Sequence, residues 1–113
     1  MKLQNVIILC LLVKSCVCFA QSVQHPLQIV IDPGHGGKDS GAVGKNGVLE
    51  KDLVLQIAKQ LTRKASSFDH KPAQYYLTRY ADTLISHRDR TDLVKRLKAD
   101  LFISLHINDA PNA

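Results

Sequence analysis

The chain has 113 residues, of which 45% are hydrophobic and 22% charged, and its formal net charge is +5. This length allows one small domain. Only 5% of the residues are aromatic, and the basic residues are scattered rather than gathered in a stripe. The composition therefore argues against a nucleic-acid-binding protein.

Residues 1–20 have the pattern of a secretory signal peptide. Lys2 precedes an apolar core over 6–13, and the stretch ends in the small residue Ala20. We expect cleavage after Ala20 and no stable membrane span afterwards, because the apolar core is too short to cross a bilayer. A lipoprotein modified at Cys16 is the alternative, although a lysine stands two residues earlier, where a small residue is preferred.

Residues 21–27 are predicted to be a lead-in to a domain over 28–113. The leader contains two lysines, no acidic residue and all three cysteines, so removing it lowers the formal charge from +5 to +3 and leaves no thiol. Such a chain depends on packing rather than on disulfides, and a metal site would use histidine or carboxylate ligands. The remaining positive charge suits an anionic cell-wall polymer or simply a solvated face.

The first predicted strand, 28–32, is a β-branched apolar run that Pro33 and Gly34 bring to an end. His35 then stands among glycines just beyond the carboxyl end of a strand, where open α/β sheets bind ligands. All six glycines lie in the loop 33–49. Loops of this length are often functional, and a flexible linker is the alternative.

A helix is predicted over 50–65, with acidic residues in its first turn and basic residues toward its end, as the helix dipole favours. One apolar stripe runs along it at helical spacing. The stripe consists of Val54, Ile57, Ala58 and Leu61.

Three further elements follow: a strand over 73–78, a helix over 87–98 and a strand over 100–106. Ser86 and Asp89 have the spacing of a capping box at the start of the second helix. The last strand is almost wholly apolar, which indicates burial on both faces.

The order strand, helix, strand, helix, strand predicts an α/β fold in three layers with a mainly parallel sheet and two right-handed crossovers. The sequence stops soon after the third strand, without a helix to cover the second face. We therefore expect an incomplete domain, the first part of a longer one.

His35 follows the first strand, Glu50 begins the first helix and His106 ends the third strand. In a parallel topology all three positions fall at one edge of the sheet. Two histidines and a carboxylate leave one position open in a tetrahedral zinc shell, as in hydrolytic zinc sites. Taken singly, Glu50 is also a favourable residue for a helix start, and His106 is also an ordinary core histidine.

The sequence resembles the zinc-dependent N-acetylmuramoyl-L-alanine amidases that split bacterial peptidoglycan, in three motifs and in the spacing between them. The resemblance covers about 28–109. The motifs are Ile29-Val30-Ile31-Asp32-Pro33-Gly34-His35-Gly36-Gly37, Glu50-Lys51-Asp52-Leu53 and Ser104-Leu105-His106-Ile107-Asn108.

The resemblance implies a Zn²⁺ ion held by His35, Glu50 and His106. It implies hydrolysis of the amide between N-acetylmuramic acid and L-alanine, in cell-wall remodelling and cell separation. Peptidoglycan is the implied partner, and an activator protein is left open as a second one. The implied location is the periplasm, the cell surface or the medium, which agrees with the leader.

The family's general base is a second glutamate on a later strand, and no glutamate follows Glu50 here. Asp109 stands too close behind His106 to replace it. We therefore assign no catalytic base in this sequence and expect the chain to be inactive on its own. A non-catalytic peptidoglycan-binding module and another exported zinc peptidase stay open as alternatives.

Three more residues are candidates for supporting the metal or the substrate. Asp32 could orient a metal ligand or could close a turn with Pro33. Asn108 could hold the loop behind His106 or touch the substrate. Arg79 could pair with Asp82 or bind a peptide carboxylate.

Overall fold

The computed structural model describes residue 4 and residues 25–68 and 72–107. The predicted signal peptide apart from residue 4, most of the lead-in, Asn108 and Asp109 lie outside these ranges. The domain boundaries stay predictions. The described elements, in chain order, are β1 (Leu27–Pro33), α1 (Glu50–Phe68), β2 (Ala73–Leu77), α2 (His87–Leu97) and β3 (Leu101–Leu105). This order confirms the predicted α/β succession, with bounds that differ by at most three residues.

In the described part of the chain, the sheet is parallel and has the strand order β2-β1-β3. The central strand β1 is the best buried, with Val30 and Ile31 only 0% and 1% exposed. Pro33 pairs with Leu105, so β1 and β3 end side by side. Whatever follows each of these strands therefore emerges at the same edge of the sheet.

The two helices cover opposite faces of the sheet, which gives the three predicted layers. Ala58 of α1 packs with Ile31 and Leu77 in the buried core. On α2, Arg90 reaches the carboxylate of Asp32. Because neighbouring side chains of a strand point to opposite faces, contacts to residues 31 and 32 place the helices on different sides.

The apolar stripe of α1 is narrower than predicted. Val54 and Ala58 are 1% and 0% exposed, whereas Ile57 and Leu61 are 43% and 39% exposed. The helix also continues to Phe68, so its last turn contains no basic residue. The predicted match of basic side chains to this helix end is therefore wrong.

The capping box of α2 is confirmed, because the Ser86 hydroxyl accepts a hydrogen bond from the Asp89 N–H at 3.1 Å. The helix ends at Leu97, and the next residue, Lys98, has a left-handed backbone (φ 48°) and donates its N–H to the Lys95 carbonyl at 3.1 Å. None of the helices in the described ranges has the length and apolar character needed to cross a bilayer.

The prediction that the third strand is buried on both faces is wrong for this structure. Leu101 and Phe102 of β3 are 50% and 41% exposed. Among the described strands, β3 pairs only with β1 and lies at the edge of the sheet. An apolar sequence indicates that a strand can be buried, but burial also requires another element to pack against each face.

Candidate metal centre

Three side chains meet at the carboxyl edge of the sheet, as their positions in the sequence predict. The distance from His35 Nε2 to Glu50 Oε1 is 3.1 Å, and that from His106 Nδ1 to His35 Nε2 is 3.2 Å. His106 Nδ1 lies 3.3 Å from Glu50 Oε1. One ligand atom from each residue thus faces a common point.

The backbone at this edge explains why the three side chains converge. β1 and β3 end together, and the Gly34 N–H donates to the Leu105 carbonyl at 3.0 Å, one step beyond the ladder. His35 then adopts a left-handed conformation with φ 59°, which is uncommon for a residue with a side chain. Helix α1 begins at the same edge because a crossover helix runs antiparallel to its strands.

Two glycines provide the space for the cluster. A Cβ on Gly34 would lie 2.3 Å from His106 Cε1, and a Cβ on Gly41 would lie 2.6 Å from both Glu50 Oε2 and His35 Cδ2. No side chain at either position fits beside the present imidazoles and carboxylate. The two rings meet edge to face, with centroids 4.9 Å apart and an angle of 81°.

Glu50 is buried and fixed at both oxygens. Its Oε1 accepts a hydrogen bond from the Ile107 N–H at 2.7 Å, and its Oε2 accepts one from the Ala42 N–H at 2.8 Å. Burial alone would raise the pKa of Glu50, but these hydrogen bonds and the two neighbouring imidazoles hold it below its ordinary value. The group is therefore an oriented carboxylate at neutral pH.

Asp39 is a contact of His35 that the sequence reasoning missed. Its Oδ2 lies 3.0 Å from His35 Nδ1, and its Oδ1 accepts from the Gly41 N–H at 3.1 Å. The hydrogen bond with His35 holds the pKa of Asp39 below its ordinary value. The available signal was a carboxylate four residues after a histidine, across a turn rich in glycine.

The donor set fits a zinc ion. A tetrahedral zinc bound by nitrogen and oxygen at about 2.0–2.1 Å sets its donors roughly 3.3–3.4 Å apart. The three measured distances, 3.1, 3.2 and 3.3 Å, are close to this spacing. His35, Glu50 and His106 form the group of metal-ligating type that the described residues contain, and three protein ligands leave a fourth position for water or substrate.

Asp32 lies beneath this edge and is almost fully buried. Its carboxylate accepts hydrogen bonds from the hydroxyls of Thr78 at 2.6 Å and Ser104 at 2.9 Å, and it pairs with Arg90. Arg90 in turn donates to the His35 carbonyl at 2.9 Å. Burial would raise the pKa of Asp32, and these three partners outweigh it and lower the pKa.

Arg79 has a different environment from the one predicted. It is 3% exposed, and its guanidinium donates to the backbone carbonyls of Pro33, Gly34, Lys51 and Ala81. The expected ion pair with Asp82 is wrong, because Asp82 is bonded instead to the Lys51 ammonium at 2.6 Å. A backbone-bonded, buried guanidinium is also poorly placed to bind a substrate carboxylate.

Clefts flank the cluster on two sides. One of about 740 Å³ extends from His35 and His106 to the start of α2 and contains His87. The other, of about 400 Å³, lies beside Glu50 and is lined mainly by apolar side chains such as Val48 and Leu53. The larger cleft is lined by both histidines of the cluster and the smaller one by Glu50.

The class is an α/β fold with two histidines and a buried glutamate at the carboxyl edge of its sheet, a group that could hold a metal ion. The chain belongs to the N-acetylmuramoyl-L-alanine amidase family, whose model matches residues 29–113. This match confirms the amidase family, and zinc dependence stays a prediction.

Individual relatives agree with this assignment. The chain is 44% identical over 81 residues to AmiC of Escherichia coli. The matched region makes up 72% of this chain and 19% of AmiC. The solved N-acetylmuramoyl-L-alanine amidase of Clostridium difficile 630 matches with a TM-score of 0.71 at 43% identity, over 78% of this chain and 47% of that one. The CwlD amidase of Clostridioides difficile, solved in complex with the GerS lipoprotein, matches with a TM-score of 0.57 at 26% identity, over 76% of this chain and 50% of that one.

The chain therefore spans about a fifth of the curated AmiC sequence and about half of the two solved structures.

Proposed function

We propose that this chain carries the zinc-binding edge of an exported N-acetylmuramoyl-L-alanine amidase. The substrate would be the amide that joins the lactyl group of N-acetylmuramic acid to L-alanine in peptidoglycan. The observation that supports this most strongly is the triangle of ligand atoms, with sides of 3.1–3.3 Å, inside the segment that matches the family. An activator protein stays a prediction, supported by the complex of CwlD with GerS.

In this proposal His35, Glu50 and His106 hold the metal, and the two backbone N–H groups on Glu50 keep its carboxylate in place. When bound, zinc would supply a Lewis acid that polarises a carbonyl oxygen and lowers the pKa of water. The two clefts receive the chains on either side of the scissile amide. Glycine at positions 34 and 41 keeps the space around the ligand atoms free of side chains.

Glu50 is the only glutamate of the sequence, and a carboxylate committed to a metal and two N–H groups is not available as a general base. The family resemblance assigns that role to a second glutamate. A positioned general base contributes about 10²–10⁴-fold in rate. We therefore expect the 113-residue chain to bind zinc but to be nearly inactive, with hydrolysis slower than that of AmiC by roughly that factor.

Incubating the zinc-loaded chain with purified muropeptides and analysing the products by mass spectrometry tests the proposal. The expected product, formed slowly, is a free stem peptide that begins with L-alanine, and His106→Ala abolishes its formation. His25→Ala removes an exposed histidine outside the triangle and serves as the matched control. Cleavage within the stem would indicate a peptidase, and retained binding to sacculi without cleavage would indicate a wall-binding module.

Export to the periplasm, the cell surface or the medium is part of the same proposal, supported by the leader pattern of residues 1–20. Determining the N-terminus of the protein recovered from an expressing bacterium tests it. A mature chain beginning at Gln21 agrees with signal cleavage. A lipidated N-terminus at Cys16 would support the lipoprotein alternative instead.

A further inference from the structure

A tight turn carries Asp39 to the far side of the His35 ring. Gly36 and Asp39 exchange two backbone hydrogen bonds, of 2.9 and 3.1 Å, across the two residues between them. The first of those two, Gly37, has φ 58°, a conformation that glycine adopts without strain. This turn brings the carboxylate back over the histidine that stands four residues earlier.

The turn is held from outside as well. The Asp82 carboxylate accepts the Gly37 N–H at 2.7 Å, and the Lys51 ammonium donates to the Gly37 carbonyl at 2.9 Å. Lys51 and Asp82 are themselves paired at 2.6 Å. Because Lys51 follows Glu50 in α1, the helix that carries one ligand also fixes the turn that carries Asp39.

The contact between Asp39 and His35 fixes the protonation of the ring. An ionised carboxylate has only acceptors, so a hydrogen bond at 3.0 Å requires the proton on His35 Nδ1. Nε2 is the atom that faces Glu50 and His106 at 3.1 and 3.2 Å. A ring that donates from Nδ1 and binds a metal through Nε2 is neutral, with its lone pair on Nε2. Metal-bound histidines generally donate their second N–H to such a partner.

We propose that Asp39 is a positioning residue that holds His35 in the Nδ1–H tautomer and aims its Nε2 at the metal. This inference rests on the proposed metal site and adds a residue to it. Asp39 acts only through its neighbours, since its other oxygen holds the N–H of Gly41, the residue packed against both His35 and Glu50.

The half-exposed side chain of Asp39 contributes little to the core, so its substitution is expected to leave the fold intact. Asp39→Ala removes the acceptor and the charge. Asp39→Asn keeps an oxygen acceptor for Nδ1–H but removes the charge. Lys38→Ala, in the same turn and exposed, is the matched control.

Zinc affinity of the full chain is measured by competition with a chromophoric chelator. We expect Asp39→Ala to bind zinc about 10–100-fold more weakly than the unchanged protein. The zinc affinity of Asp39→Asn should lie between those of Asp39→Ala and the unchanged protein. Lys38→Ala should bind zinc as tightly as the unchanged protein. The second readout is NMR of the zinc-loaded protein, in which the His35 Nδ1–H proton is protected from exchange. That protection is expected to persist in Asp39→Asn and to disappear in Asp39→Ala.

The outcomes separate this inference from the proposed function. If the unchanged protein takes up no zinc, the metal site itself is wrong. If it binds zinc and Asp39→Ala matches it within twofold with the same His35 signal, the role of Asp39 is overturned. Should Asp39→Ala fail to fold, the near-isosteric Asp39→Asn decides, and an affinity equal to that of Lys38→Ala overturns the inference.

Discussion

Two glycines, Gly34 and Gly41, allow the imidazoles and the carboxylate of the cluster to approach within hydrogen-bonding distance. At both positions the space that a Cβ would need is already taken by a ligand side chain. At the residue scale, then, the site depends as much on absent side chains as on the ligands themselves.

Replacing Gly41 by alanine is expected to weaken zinc binding by more than about tenfold. Its φ is +62°, and the new Cβ would lie 2.6 Å from both Glu50 Oε2 and His35 Cδ2. Gly47→Ala is the control, because Gly47 has φ +78° but a Cβ there would meet no atom within 4 Å. Both variants share the backbone strain, of about 1–3 kcal/mol, and only the first obstructs the site. Equal zinc affinity of the two variants in the chelator competition would contradict the crowding argument.

The buried pair of Asp32 and Arg90 makes a prediction about stability and pH. Asp32→Asn leaves a buried guanidinium without its counter-charge, and we expect the free energy of unfolding at pH 7 to fall by about 3–5 kcal/mol. Asp92→Asn is the control, since its pairing with Arg88 is 3.8 Å long and exposed and contributes about 0–1 kcal/mol.

The pH dependence of this effect follows from the lowered pKa of Asp32. A carboxyl group whose pKa is lower in the folded state stabilises the protein above its ordinary pKa of 3.8 and loses that contribution as the pH falls through the folded value. We therefore expect the difference in free energy of unfolding between the unchanged protein and Asp32→Asn to shrink below pH 4. Denaturant unfolding at a series of pH values between 7 and 2 measures this difference. A difference that stays constant down to pH 2 would contradict this assignment.

The sequence predicted His35, Glu50 and His106 as neighbours because parallel topology alone brings two strand ends and a helix start to one edge. It did not predict the partners of Asp32, Asp39 or Arg79. The contacts of Asp39 and Arg79 depend on how the loop 33–49 and the segment after β2 fold back on the edge, whereas Asp32 meets Ser104 of β3 and Arg90 of α2 through the packing of those elements. Such irregular backbone has no periodic pattern that a sequence could reveal.

At the scale of elements, Arg79 ties together the parts that carry the cluster. Its guanidinium binds two carbonyls at the end of β1, one in the first turn of α1 and one in the segment after β2. The end of β1 leads directly to His35, and the first turn of α1 begins with Glu50. This one side chain therefore fixes the distance between two of the three ligands.

Arg79→Met is expected to lower the free energy of unfolding by about 3 kcal/mol, because several buried carbonyls lose a charged donor. Zinc affinity should fall with it, since the ends of β1 and α1 are then less firmly joined. Arg63→Met, at an exposed position of α1, should change stability by at most about 0.5 kcal/mol. Thermal unfolding and chelator competition check both; an Arg79→Met protein with unchanged zinc affinity would contradict the linking role.

Element by element, the features with a local cause were predictable. The capping box of α2 and the end of β1 at Pro33 depend on side chains and backbone limits within a few residues. The exposure of β3 was not predictable in the same way, because burial of Leu101 and Phe102 depends on what packs against them. Likewise, only the tertiary contacts show which side chains of α1 are buried in the core of the protein. These are Val54 and Ala58 rather than Ile57 and Leu61.

At the scale of the whole molecule, the chain belongs to the amidase family but spans only part of the relatives that it matches. Within this span His35, Glu50 and His106 form a group that could hold a metal ion. We propose Glu50 as a metal ligand, and it is the only glutamate in these 113 residues.

The central claim is that two imidazoles and one carboxylate hold zinc at the edge of the sheet. Zinc K-edge X-ray absorption on the zinc-loaded protein tests it most directly. We predict a first shell of nitrogen and oxygen at about 2.0–2.1 Å, with the outer-shell scattering of two imidazoles. A sulfur shell at about 2.3 Å, or scattering from fewer than two imidazoles, would contradict the account.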